Sequence, residues 1–434
     1  MNLSWYFTIL CYCLIPVVSA QVLNSPKPNI IYIMVDDMGY ADLSSYGSTQ
    51  YQTPNLDELA KQGIRFLQAY AAAPVCTPSR TGFITGQYPA RTQVGLWEPL
   101  TGQDVDQQIG LTAHNITLSS LLKQQGYQTV LIGKWHLGKQ PQHHPNQHGF
   151  EEFYGVLEGA ADYISHQPGL YHNTQLMKQE GYLTDLFTGK ALAFLAQPHT
   201  KPFFMSLQYT APHWPWQGPD DAPYPDSVSW TGGGSIQTYA QMMQSLDKSI
   251  GQLMAGLQQN GLEENTLVIF TSDNGGERFS QMGPFRGKKM ELWEGGIRVP
   301  AIMRWPKVLK GGNESNQVVI SMDWTATILA ATGAKSHTGY TLDGINLLPI
   351  CRGEAPIQIR QLAWRTFQRT KYKAFRSGDW KYLSDSKAEY VFNLAKDPGE
   401  EHDLKTEQPK RLAQLKALYL EWESQMLSPV ALPK

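Results

Sequence analysis

The sequence predicts an α/β protein: a mostly parallel sheet flanked by helices, followed by a small antiparallel α+β subdomain. Three observations point there. Apolar, β-branched runs of strand length alternate with helical stretches over the first 350 residues, the pattern of strands buried on both faces. Beyond residue 350, shorter runs alternate with turn signals such as Ser377-Gly378-Asp379, as in antiparallel hairpins. The 434 residues contain no internal repeat and no low-complexity tract, which excludes solenoids and disordered arrays.

The elements follow in order. MNLSWYFTILCYCLIPVVSA, residues 1–20, is an apolar run ending in Val18-Ser19-Ala20 and reads as an export signal with a small-residue cleavage site. It is too short and too abruptly ended for a comfortable membrane span, so a secreted or periplasmic protein without stable membrane insertion is expected. A large domain over 21–350 and a C-terminal subdomain over 351–434 follow. NIIYIMV is a strand that ends at Asp36-Asp37. Thr53-Pro54 and Gly63 bound a helix, and Thr77-Pro78 read as the N-cap and first position of another. Thr117 starts a helix that runs to about Gly126. TVLI leads into Gly133, Lys134, Trp135 and His136, and PFFMSLQYT leads to Pro212-His213. Between Ser235 and Gln259, Tyr239, Met243, Leu246, Ile250, Leu253 and Leu257 recur at helical spacing. TLVIFTS stops at Asp273-Asn274, and PAIMRW follows Arg298. A last helix over 408–426 turns Leu412, Leu415, Leu418 and Leu420 inward.

Composition narrows the function. Lys plus Arg is 36 against 38 Asp plus Glu, a net charge of −2, which carries no signature of nucleic-acid binding. An anionic ligand must be caught by local charge. With 38 Gly, 27 Pro and 12 Trp, the chain is rich in loops and aromatic rims. Of its four cysteines, Cys11 and Cys13 leave with the signal; Cys76 and Cys351 remain, and one bridge between them stays open.

In open α/β sheets ligands sit beyond the carboxyl ends of the strands, where four segments deliver polar residues. Asp36, Asp37, Asp273 and Asn274 are hard oxygen ligands suited to Ca²⁺ or Mg²⁺. Either pair alone reads equally as turn chemistry; together they favour a metal. Cys76 stands at a helix N-terminus, whose free N–H groups attract an anion, and Arg80 one turn on offers a bidentate guanidinium. The loop HWPWQGPDDAPYPDSVSWTGGG brings Trp214, Trp216 and Trp230, which with Trp97 offer faces for sugar stacking or for packing. His166, in GAADYISHQ, is a candidate substrate contact.

CTPSRTGFITG resembles the type I sulfatase signature Cys-x-Pro-Ser-Arg-x-x-x-Leu-Thr-Gly, departing only at Ile84. VDDMGYADLSSYG, GKWHLG, APHWP, SDNGG, WEGGIRVPAIMRWP and NLAKDPGEEHDL resemble further motifs of that family in the same order, over residues 28–404. The resemblance implies an alkaline-phosphatase-like fold and hydrolysis of a sulfate monoester, with a sulfated polysaccharide or glycosaminoglycan as the preferred substrate. It implies oxidation of Cys76 to formylglycine by a formylglycine-generating or anaerobic sulfatase-maturating enzyme. Asp36, Asp37, Asp273, Asn274 and residue 76 match the ligands of a calcium ion, ahead of Mg²⁺. Arg80 and Lys134 match groups that hold residue 76 and the sulfate oxygens, His136 matches the base, and His213 the donor to the leaving oxygen. Substrate binding is expected of Lys134, His213 and Lys289, joined by His166 and Trp214. Counting five residues back from Glu294 selects Lys289 as the active-site lysine, with Lys288 as its alternative. The rival readings are a phosphoester or phosphonate hydrolase on the same scaffold and a non-catalytic sulfated-glycan binding protein.

Overall fold

The computed structural model describes residues 27–103, 105–225 and 229–430, so the expected export signal with Cys11 and Cys13 lies outside the described residues. Eleven strands form one sheet: β1 (Asn29–Val35), β2 (Ile64–Tyr70), β3 (Gln128–Lys134), β4 (Glu152–Val156), β5 (Leu170–His172), β6 (Gln175–Met177), β7 (Phe203–Gln208), β8 (Thr266–Ser272), β9 (Arg298–Arg304), β10 (Asn313–Ser315) and β11 (Val319–Ile320). The helices are α1 (Pro54–Gln62), α2 (Cys76–Thr85), α3 (Leu118–Gln124), α4 (Leu183–Leu195), α5 (Ile236–Gln259), α6 (Glu294–Ile297), α7 (Ser321–Thr332), α8 (Leu348–Cys351) and α9 (Pro409–Ser424).

β8, β1, β7, β3 and β4 lie side by side and parallel. Val35 pairs with Ser272, Met34 with Gln208 and Gly133 with Gln208, so the carboxyl ends of four strands stand level. Side chains alternate across β1: Ile31, Ile33 and Val35 join α1, α4 and α5 on one face, while Ile30, Tyr32 and Met34 join α2, α3 and α7 on the other. That two-sided burial is why the strands read as unbroken apolar runs.

The parallel pattern fails at β9, which pairs antiparallel with both β8 and β2. After β8 the chain makes only the one-turn α6 before entering β9 from the same edge. No crossover helix returns it to the opposite edge, so it runs back.

Helix ends follow the sequence except at the expected Thr53 and Thr77 caps. Ser235 caps α5 by accepting from Thr238 N, and Thr117 and Ser120 form a reciprocal capping box on α3. Thr53 precedes α1, but its hydroxyl accepts from Ser44 N at 2.9 Å and does not cap. The expected inward Leu420 of the last helix is exposed; Leu415 and Tyr419 are the buried residues of α9.

The C-terminal strands β12 (Gln361–Arg365), β13 (Lys373–Ser377), β14 (Trp380–Ser384) and β15 (Glu389–Asn393) form a separate antiparallel sheet. α9 covers one face through Leu415 and Tyr419. Leu362, Trp364 and Leu383 on the other face pack against Tyr70, Trp293 and Ile320 of the main body.

Candidate active site

Four adjoining strands supply the site. β1 delivers Asp36 and Asp37, β8 delivers Asp273 and Asn274, β3 ends on Lys134 with His136 beyond it, and the loop after β7 carries His213; all are buried. α2 closes the set from one side, opening on Cys76 and carrying Arg80, with all 10 of its residues buried. The expected Thr77 cap is corrected: Val75 occupies the cap position. The Thr77 hydroxyl instead donates to His136 O at 3.2 Å and accepts from Leu100 N at 3.2 Å. Cys76 therefore lies in the first turn, among N–H groups that no helix carbonyl takes.

The side chains interlock. Cys76 Sγ donates to Asp36 Oδ1 across 3.6 Å, and Lys134 Nζ donates to Asp36 Oδ2 at 2.5 Å. Arg80 forks over Asp273 Oδ2, with Nε at 3.0 Å and Nη2 at 2.9 Å, and its Nη1 donates to Gln208 Oε1 at 3.0 Å. Asp37 accepts from Asn274 Nδ2 at 2.8 Å and from Lys289 Nζ at 2.6 Å, while His213 Nε2 lies 3.5 Å from Asp37 Oδ2. The two lysine candidates separate cleanly: Lys288 is exposed and sits 3.6 Å from Glu277.

Burial sets the protonation states. It pushes Asp37 up to about 7 against the pull of Lys289, and with Asp36 it pushes Asp273 up to about 6. At Asp36 the same burial is outweighed by Lys134, Arg80 and Lys289, which hold the carboxyl below its ordinary range. Burial lifts the Cys76 thiol up to about 12, so this cysteine is no thiolate at neutral pH. Burial, then Lys134, holds His136 well below its usual value; burial, Lys289 and Lys134 do so for His213. Both rings are therefore neutral at pH 7. His136 Nε2–H donates to Leu100 O at 2.9 Å, leaving Nδ1 buried without a partner. His213 Nδ1–H donates to Trp214 O at 2.6 Å, leaving Nε2 as its lone-pair nitrogen.

Asp37 (φ 62°) and His136 (φ 58°) hold left-handed backbone, at a cost of about 1 kcal/mol or more each. Gly159 makes room for the His136 ring: a Cβ there would lie 2.5 Å from His136 Cε1.

Ligand atoms of Asp36, Asp37, Cys76 and His213 lie within 4.8 Å of one another. Asn274 Oδ1, whose amide nitrogen binds Asp37, is buried with no hydrogen-bond partner. An orphaned amide oxygen beside three carboxylates fits a hard divalent cation, as expected for Ca²⁺.

The cluster opens into a cleft of 700 Å³ lined by Cys76, His136, His213, Lys289, Trp214 and Trp230, among others. The structure does not bring His166 there: it is buried, and its Nε2 is spent on Gly181 O at 2.7 Å. Trp97 and Trp216 are likewise core residues, the latter packed on Phe279 with centroids 4.8 Å apart. The sequence reading missed Gln208, whose signal was a lone amide ending an apolar strand. Glu158, Glu277 and Arg369 also line the cleft and carried no local signal.

Residues 28–334 match the family described as Sulfatase, and residues 285–423 match N-sulphoglucosamine sulphohydrolase, C-terminal. The chain belongs to the sulfatase family. This sulfatase is 34% identical over 369 residues to N-acetylgalactosamine-6-sulfatase of Rattus norvegicus, an alignment covering 77% of this chain and 68% of that one. It is 30% identical over 423 residues to steryl-sulfatase of the same species, covering 76% and 71%. The sulfatase spans about two thirds of the length of these curated relatives. The crystal structure of Ps i-CgsB in complex with k-i-k-neocarrahexaose matches with a TM-score of 0.84 and 32% identity, covering 94% of this chain and 95% of that one.

Proposed function

We propose that this sulfatase removes sulfate from a monoester on a sulfated carbohydrate, a polysaccharide or glycosaminoglycan, using residue 76 as formylglycine and a bound calcium ion. The observation that carries the reading is Cys76 Sγ at 3.6 Å from Asp36, on the floor of a 700 Å³ cleft that also presents two neutral histidines. A saccharide is favoured because the relative solved with k-i-k-neocarrahexaose is similar over nearly its whole length.

The charges are consistent with an anionic substrate. Asp36, Asp37 and Asp273 cancel Arg80, Lys134 and Lys289, so a divalent cation leaves the site electropositive. When bound, that cation supplies the charge that acidifies a hydroxyl at residue 76. His136 Nδ1, neutral and without a partner, accepts the proton this hydroxyl gives up. Arg80, fixed by Asp273 and Gln208, and Lys134, fixed by Asp36, are preorganised donors for the sulfuryl oxygens, worth about 3 kcal/mol each in the transition state.

His213 has only Nε2 left to carry a proton to the leaving oxygen. Lys289 and Lys134 disfavour that proton in the free enzyme, and an anionic substrate offsets them. Asp37, 3.5 Å away, favours the imidazolium once it forms. The Trp214 ring, tilted against His213 with centroids 4.3 Å apart, lines the cleft as a stacking surface for the sugar. A secreted or periplasmic location and maturation by a formylglycine-forming enzyme belong to the same proposal.

The test pairs mass spectrometry of the peptide containing Cys76 with sulfate release from sulfated saccharides, alongside matched 4-nitrophenyl sulfate and phosphate. Conversion of Cys76 and a preference for sulfate are expected. An unmodified thiol in active enzyme, or faster phosphate turnover, would overturn the reading.

A further inference from the structure

The loop between β12 and β13 joins both walls of the cleft. Glu98 is buried, and its Oε2 accepts from Phe367 N at 2.8 Å and Gln368 N at 3.0 Å, while Gln368 Oε1 accepts from Glu98 N at 2.9 Å. Glu98 directly precedes the Pro99–Thr101 wall. On the far side, the Thr370 hydroxyl donates to Met290 O at 2.9 Å, the residue next to Lys289. Inside the loop, Thr366 Oγ1 accepts from Tyr372 N at 3.0 Å, and Thr366 N donates to Tyr372 O at 2.9 Å. A buried carboxylate and a threonine are thus committed to holding four exposed or half-exposed residues in one place.

At the crest of that loop stands Arg369, exposed and lining the cleft. No hydrogen bond, ion pair or ring contact engages its guanidinium among the described residues. The other cation of the cleft wall, Lys289, is taken by Asp37. Glu158 lines the same cleft and repels anions from its side, while Glu277 there is paired with Lys288 at 3.6 Å. One clamped, uncommitted guanidinium therefore defines where additional negative charge can rest.

We propose that Arg369 is a specificity-determining residue that binds a second oxyanion of the substrate, apart from the sulfate being cleaved, and so selects multiply charged saccharides. The inference rests on the sulfatase reading of the cleft. Arginine suits the task because its planar fork takes two oxygens of a sulfate ester or carboxylate at once. The contacts above fix the backbone from which it projects, so the loop itself need not be ordered on binding. A sulfate ester and a uronic carboxylate share this chemistry, and the probes below separate them.

The experiment compares wild type, R369K, R369A and R369E, each checked for an unchanged Tm. Turnover of 4-nitrophenyl sulfate, which carries one anionic group, is measured alone and in competition with two tetrasaccharides. One derives from carrageenan and carries sulfate only; the other derives from chondroitin sulfate and carries uronic carboxylates as well. R369A is expected to weaken at least one tetrasaccharide about tenfold more than 4-nitrophenyl sulfate, with R369K intermediate and R369E weaker still. The tetrasaccharide with the larger loss identifies the oxyanion. Equal losses on all three compounds, or tetrasaccharides that do not compete in the wild type, would overturn the role of Arg369. Absence of sulfate release by the wild type from every compound would instead overturn the sulfatase reading, and calorimetric binding of the tetrasaccharides to wild type and R369A then decides on Arg369 separately.

Discussion

Asn274 Nδ2 donates to Asp37 Oδ1 at 2.8 Å, while the oxygen of the same amide is buried with no partner. The amide is thereby oriented, and its free oxygen joins Asp36 and Asp37 as a ready ligand. Calcium at a hundredfold excess over its Kd is expected to stabilise the fold by about 2.7 kcal/mol. Thermal unfolding with added Ca²⁺ and with EDTA measures this, and N274A should lose most of the gain. A Tm indifferent to both additions would remove the metal from the site.

Replacing Cys76 separates its chemistry from its packing. C76A deletes the side chain proposed to be converted while leaving Asp36, Lys134 and Arg80 in place. Sulfate release should fall by about 10⁴-fold or more, as when a covalent nucleophile is removed. Circular dichroism should show unchanged secondary structure.

The adjacent lysines give an internal control. Lys289 donates to Asp37 at 2.6 Å, whereas Lys288 is exposed beside Glu277. K289A should lower kcat by about 10²-fold, the cost of one preorganised charged donor, and K288A by no more than about twofold. Steady-state kinetics on 4-nitrophenyl sulfate reads both.

A buried charge cluster ties the C-terminal sheet to the active-site loop. Lys381 Nζ lies 2.9 Å from Glu294 and 2.8 Å from Glu400, and Glu400 Oε2 accepts from Glu294 N at 2.6 Å. Burial would raise Glu294, but Lys381, Arg298 and Arg376 hold it down to about 2 from an ordinary 4.5. Its stabilisation is therefore complete above pH 4.5 and is lost as pH falls toward 2. Glu400 acts in the opposite sense: burial lifts it to about 7 despite Lys381, so stability declines as pH rises from 4.5 through 7. K381M removes the cation that faces Glu400 and one of the three that hold Glu294, and should cost about 3–5 kcal/mol at neutral pH. Denaturant unfolding should show that deficit greatest near pH 8 and narrowing toward pH 4, where protonation removes the uncompensated charge.

The ends of β1, β3 and β8 were legible because a fully buried strand is apolar until the residue that leaves the sheet, and that residue is where ligands sit. Convergence of the four segments could be expected from parallel topology, since it places successive carboxyl ends on one edge. The direction of β9 was not legible: it depends on the missing crossover, and PAIMRW reads the same in either direction. His166 misled, and Trp97 and Trp216 stayed open between stacking and packing, because loop composition does not tell which aromatic rings turn inward. Spacing from Glu294 favoured Lys289 but left Lys288 as the alternative, since adjacent residues on a loop diverge only by backbone geometry. Arg369 was invisible because its importance comes from Glu98, 271 positions earlier in the sequence, clamping the loop on which it stands.

α2 has no residue at the surface. Small molecules reach Cys76 through the cleft, but another protein cannot grip Cys76, Pro78 and Arg80 together once this helix is sealed between sheet and α7. Any partner that reads those three side chains must meet the chain before α2 is packed into place.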